Sequence, residues 1–111
     1  MPYDLRQWPD TVHPGEVEAE CPEAREAVDV LIREMQRAGP SPLGYAVKTL
    51  GKSKGHLWQI NLRIEGKQVR ILYAPYNQTI VLFRVHPKSS KGEQDRAYRL
   101  AMKRKSDYET R

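Results

Sequence analysis

The residues from His56 to His86 restrict the fold more than any other part of the chain. Trp58, Ile60, Leu62 and Ile64 alternate with Gln59, Asn61, Arg63 and Glu65. Val69, Ile71 and Tyr73 alternate with Gln68, Arg70 and Leu72, and Val81, Phe83 and Val85 with Leu82, Arg84 and His86. A period of two puts successive side chains on opposite faces of a strand. The stretch therefore reads as an antiparallel meander with strands over 57–65, 67–73 and 79–86. Glu65-Gly66 suits a two-residue hairpin loop, because glycine accepts the positive φ of such turns. That loop sets Trp58 across from Tyr73, Ile60 from Ile71 and Leu62 from Val69. On the other face it sets Asn61 across from Arg70 and Arg63 from Gln68. The connection over 74–78 is longer and contains Pro75 and Asn77. Pairing Tyr73 with Val81 there would put Arg70 opposite Arg84 and Gln68 opposite His86. Opposed like charges destabilise a sheet, so a face gathering Arg63, Arg70, Arg84 and His86 points to an anionic ligand.

Helical spacing appears upstream. Over 22–38, Ala24, Ala27, Val28, Leu31, Ile32 and Met35 form one apolar stripe. Pro22 fits the first turn, and Gly39-Pro40 ends the run. Ser41-Pro42 then resembles a cap and first-turn proline, and Leu43, Ala46, Val47 and Leu50 predict a second, shorter helix. Residues 3–8 suit a short edge strand ended by Pro9. The acidic stretch 10–20 reads as a loop or a frayed extension of the helix that follows. Gly51 to Gly55 is a basic loop without the length or pattern of a P-loop. Residues 93–107 predict a terminal helix whose apolar side is only Ala97, Leu100 and Ala101, so it is expected to be mobile or held by a partner. The expected fold class is α+β in one domain over 1–111. Two N-terminal helices would cover one face of a small antiparallel sheet, and a basic helix would follow at the C-terminal end.

The 111 residues carry 19 Lys/Arg against 14 Asp/Glu, unevenly. Residues 1–40 hold 4 Lys/Arg and 9 Asp/Glu, whereas residues 41–111 hold 15 and 5. Such segregation favours nucleic acid or another polyanion as partner. Cys21 is the only cysteine, which excludes an internal disulfide and a cysteine zinc site. His13 and His56 stand alone, so no metal and no cofactor is expected. No apolar run is long enough to cross a bilayer, and the N-terminus lacks the layout of a signal peptide. A cytoplasmic protein without a membrane partner is expected.

With these segments placed, the chain resembles the RelE/ParE superfamily of bacterial toxins, in its HigB-like, phage-derived branch. The resemblance rests on Leu57-Trp58-Gln59-Ile60-Asn61, Val69-Arg70-Ile71-Leu72-Tyr73, the strand end from Phe83 to Lys88, and Ala101-Met102-Lys103-Arg104. It spans roughly residues 24–108. Gln59 and Asn61 stand where the family usually has Glu and Arg, Ser89 replaces a second lysine, and Arg63 can stand in for the missing arginine. The resemblance implies a RelE-like fold and a ribosome-dependent mRNA interferase that cuts messenger RNA in the decoding site. Its partners would be messenger RNA, the ribosome and a cognate antitoxin of helix-turn-helix type.

RNA cleavage by the neighbouring 2′-hydroxyl needs charge stabilisation for the phosphorane and proton transfer at both oxygens. Arg63, Arg70, Arg84 and Lys88 are the expected charge stabilisers, and His86 is the natural acid or base near neutral pH. Lys48, Lys52, Lys54, Lys91, Arg99, Lys103 and Arg104 would hold RNA or ribosome phosphates, with Tyr98 and Tyr108 stacking on bases. Two other readings keep the same fold: a ParE-like DNA gyrase poison, and a catalytically weakened relative that only binds RNA or antitoxin.

Overall fold

The computed structural model describes residues 2–111. It is an α+β arrangement built on one open five-stranded sheet. The strands are β1 (Asp4–Gln7), β2 (Val47–Thr49), β3 (Trp58–Ile64), β4 (Lys67–Tyr76) and β5 (Thr79–Pro87). Their order is β1-β5-β4-β3-β2, with β1 parallel to β5 and every other pair antiparallel.

The β3–β4 hairpin has the register expected from its turn, including Asn61 across from Arg70 and Arg63 across from Gln68. Glu65 and Gly66 both take positive φ, 51° and 82°. The β4–β5 register differs from expectation. Strand β4 runs on to Tyr76 and turns at Asn77, φ 56°. Pro75 is tolerated because β3 pairing stops at Tyr73, leaving β4 with one neighbour there. A bulge between Leu72 and Tyr73 then accommodates Phe83 as an extra residue on β5. Arg70 consequently faces His86, and Arg84 faces Leu72, so the opposed arginine pair does not form.

The apolar face of the meander is covered by α2 (Arg25–Ala38) and the segment before it. Ala24, Val28, Leu31 and Met35 pack on Ile60, Leu62, Val69, Ile71, Tyr73 and Val85. Pro22–Ala24 forms a 3-10 turn leading into the helix, and Gly39, φ 101°, ends it. The acidic stretch is more ordered than a loop. A kinked turn, Val12–Glu16, extended at His13 (φ −138°, ψ 128°), runs into α1 (Val17–Glu20), burying Val12, Val17 and Cys21.

Two expectations are corrected here. The second N-terminal helix does not form: residues 41–46 are turn and coil, and β2 follows as an edge strand paired with β3. Leu43, read as part of a stripe, is 94% exposed. The segment is too short to offset the cost of helix nucleation, and it carries Gly44 at φ 88° and β-branched Val47 and Thr49. Nor is the terminal helix peripheral. Helix α3 (Lys91–Thr110) lies on the opposite face of the sheet, where Ala101 and Tyr108 pack on Leu57, Leu72, Ala74, Val81 and Phe83. The sheet therefore has an apolar patch on both faces. Among the described residues no helix is long and apolar enough to cross a membrane.

Candidate nucleic-acid interface

Helix α3 covers only part of its face of the sheet. Beyond its N-terminal turns, the register lines up polar side chains in rows across β3, β4 and β5. One row runs Arg63–Gln68, continued by Lys88, whose N–H donates to the Gln68 carbonyl at 2.8 Å. The next runs Asn61–Arg70–His86, and a third brings Lys48 of β2 beside Gln59. Arg63 and Arg70 are thus diagonal neighbours, within reach of one long side chain.

Arg70 is half-buried and oriented. Its Nη1 donates to Gln94 Oε1 at 2.6 Å and to the Tyr98 hydroxyl at 3.3 Å. Tyr98 donates in turn to Gln59 Oε1 at 2.6 Å, and Gln59 Nε2 donates to Asn61 Oδ1 at 3.1 Å. Gln94 Nε2 is held by the Ser89 carbonyl at 2.6 Å. Gln94 and Tyr98 lie one turn apart on α3, so both face the same strands. The basic loop closes the other side. Lys54 Nζ sits 4.9 Å from the centre of the Tyr98 ring, a cation–π contact. Gly55 makes this close approach possible: a Cβ there would come within 3.0 Å of Met102 Cγ, at φ 64°.

Among the described residues, no carboxylate lies within ion-pairing distance of Arg63, Arg70, Lys48, Lys52, Lys54, Lys88, Lys91 or Arg99. Arg63, Lys48 and Lys88 are exposed. The strip is a positively charged surface with one arginine and one tyrosine fixed at its inner edge. It can bind phosphodiester oxygens and stabilise added negative charge on them.

Five residues assigned to this surface from sequence lie elsewhere or cannot play the expected part. Arg84 is the centre of a buried ion-pair network. It bonds Glu20 at 2.9 Å and lies 3.1 Å from Glu16, whose other oxygen takes Arg104 at 2.6 Å. Arg84, Glu16 and Arg104 are only 14%, 13% and 16% exposed, and Arg104 also donates to the Phe83 carbonyl at 2.7 Å. Burial alone would lower the Arg84 pKa, but the bonds and charges of Glu20 and Glu16 outweigh it and raise it. Arg84 and Arg104 are therefore already compensated from within the chain. Tyr108 belongs to an aromatic cluster with Trp8, Tyr76 and Phe83, with the Arg111 guanidinium 3.7 Å from its ring centre.

His86 is 3% exposed. Burial pushes its imidazole pKa down to about 4, and Arg84 and Arg70 act in the same direction. It is neutral near pH 7 and does not serve there as a proton donor. Lys103 points away from the strip, paired with Asp107 at 3.3 Å. Among the described residues no cluster of three His, Cys, Asp or Glu side chains is placed to hold a metal ion.

The residues that orient Arg70 and Tyr98 were not foreseen from sequence. Gln59 accepts from the tyrosine and is itself held by Asn61, although both residues depart from the pattern the resemblance implies, and Gln94 lies outside that pattern. The helical spacing of Gln94 and Tyr98, with Arg70 at the centre of the sheet, was the available signal. Comparison of the chain with protein-family models, with curated proteins and with solved structures finds no match in any of the three.

Proposed function

We propose that this chain is a toxin of the RelE/ParE type, in the HigB-like branch, that cuts messenger RNA on the ribosome and is silenced by a cognate helix-turn-helix antitoxin. One observation carries the reading: Arg63, Arg70 and Lys88 share one end of a sheet face with no carboxylate within ion-pairing distance, while other cations of the same half of the chain are paired internally. A protein gains nothing in stability from such a strip; a polyanion makes it useful. Arg70, held by Gln94 and Tyr98, is the group preorganised to stabilise negative charge on a phosphorane, and Arg63 and Lys88 add to it. Lys48, beside Gln59, and Lys54, against the Tyr98 ring, extend the strip for backbone contacts.

The chemistry is electrostatic in the main. His86 is buried and neutral, so cleavage relies on alignment of the 2′-hydroxyl by the ribosome-bound message, with solvent water taking its proton and supplying one to the departing 5′-oxygen. The same fact favours a second reading, a relative that binds RNA or DNA gyrase without cutting. Expression without antitoxin separates the two. Growth arrest with shortened messages is expected, and Arg70→Ala or Arg63→Ala should relieve it while the far-UV spectrum stays native. Arrest with intact messages and double-strand breaks would move the chain to the gyrase poisons, and full toxicity of both alanine variants would remove the strip from the mechanism.

A further inference from the structure

The side-chain amide of Asn61 is oriented from within the fold, and the direction of every hydrogen bond that orients it is fixed. An arginine only donates. Arg70 Nη1 is therefore the donor to the Tyr98 hydroxyl at 3.3 Å, which sends the phenolic proton to Gln59 at 2.6 Å. The Gln59 atom that receives it is the oxygen, so Nε2 is left to donate to Asn61 at 3.1 Å. Asn61 accepts with its own oxygen, and its Nδ2 is left outermost. The other end is set independently. A carbonyl only accepts, so Gln94 meets the Ser89 carbonyl with Nε2 and Arg70 with Oε1.

Gln59 is 4% exposed, which shields its amide from competing water, whereas Asn61 is exposed. Asn61 Nδ2 thus presents two N–H groups to the strip. Arg70 Nη1 uses both its hydrogens on Gln94 and Tyr98, and Nε is buried, so Nη2 is the open end of the guanidinium. Asn61 and Arg70 are directly opposite on β3 and β4, where the Cβ atoms of such pairs lie roughly 4.5–5.5 Å apart. Two donor groups and no acceptor meet at one place. The edges of nucleobases mostly alternate donors with acceptors, but a phosphodiester offers two free oxygens that only accept. Its charge beside a guanidinium favours it further.

We infer that Asn61 is a phosphate ligand held donor-outwards by Gln59, and that Asn61 and Arg70 take the two free oxygens of one phosphodiester. The inference rests on the RNA reading of the strip. Gln59 is a positioning residue: it touches no RNA and acts through the direction it gives to Asn61.

The test is a titration of the whole chain with short single-stranded RNAs of differing base composition, followed by NMR through the Asn61 side-chain NH2 and the arginine guanidinium signals. Each RNA should move the Asn61 Nδ2 signals saturably and to a similar extent. Gln59→Glu keeps an acceptor for Tyr98 but removes the donor to Asn61, so the Asn61 amide should turn round and bring Nδ2 inwards. RNA should then still move the Arg63 signal but no longer Asn61 Nδ2, with affinity lowered about tenfold. Asn61→Asp, at an exposed position that leaves buried Gln59 its acceptor, should weaken binding at least as much, and serves if Gln59→Glu does not fold. A response confined to guanine-containing RNA would assign the donors to the adjacent O6 and N7 of that base and overturn the inference. RNA that moves Arg63 and Arg70 but not Asn61 Nδ2, or an Asn61 response unchanged in Gln59→Glu, would overturn it while the RNA reading stands. RNA that moves none of these signals would overturn both.

Discussion

Glu16 shows how one side chain changes the meaning of others far away in sequence. Its two oxygens serve Arg84 and Arg104, and its Oε1 also lies 3.4 Å from the Val85 N–H. Removing one partner from a buried pair leaves the other charges uncompensated, at about 3–5 kcal/mol. Glu16→Gln should lower the urea midpoint accordingly, whereas Glu18→Gln, which breaks an exposed pair with Arg25, should cost about 1 kcal/mol or less. His86 supplies a pH test. Its folded pKa, about 4, lies below the unfolded value of 6.5, so the unfolded chain binds the extra proton between these limits. The stability tied to neutral His86 is complete above pH 6.5 and is lost as pH falls towards 4, about 3 kcal/mol over the window. Unfolding curves from pH 7.5 to 4 should show this loss, and His86→Phe should flatten it.

At the scale of elements, the β3–β4 hairpin was legible because a two-residue turn and a strict apolar parity leave one register. The β4–β5 pairing was not, since the extra Phe83 shifts it by a residue and an apolar side chain fits either face. The run Ile80-Val81-Leu82-Phe83 did carry a signal: a strand apolar at every position is buried on both sides. That second patch is what holds α3, through small alanines and one large anchor. Tyr108→Ala should therefore cost about 3–5 kcal/mol, as large aromatic truncations do, and should change Trp8 fluorescence, because the two rings lie 5.8 Å apart. A terminal helix free of the sheet would show neither effect. The expected helix over 43–50 failed for a related reason, since a short apolar spacing broken by Gly44 does not offset the cost of helix nucleation, even after Ser41-Pro42.

For the whole molecule, the division into an acidic front and a basic remainder has two outlets. Glu16 and Glu20 consume part of the positive charge inside the fold, and Glu23 reaches Lys67 at 3.6 Å. Arg63, Arg70, Lys88, Lys48 and Lys54 are left on the strip. Sequence alone separates these cations poorly, because the carboxylates that claim Arg84 lie more than sixty residues away. On the RNA reading, three phosphate contacts by Arg63, Arg70 and Lys88 give a slope of log affinity against log salt of about −2 for a single strand. Arg63→Ala should reduce that slope by about 0.7. Arg84→Ala should instead lower stability, leaving the slope of the folded fraction unchanged.

The pairing of β1 with β5, together with the reach of Glu16 to Arg104, sets a timetable for the nascent chain. Residues 4–20 meet α2 early, through His13 and Asp29 at 2.6 Å, but lack the β5 edge and Arg104 until residues 79–104 have been synthesised. The strip that would engage a polyanion is completed late, when α3 brings Gln94 and Tyr98 down onto Arg70, so partly made copies carry the charge without the shape that directs it.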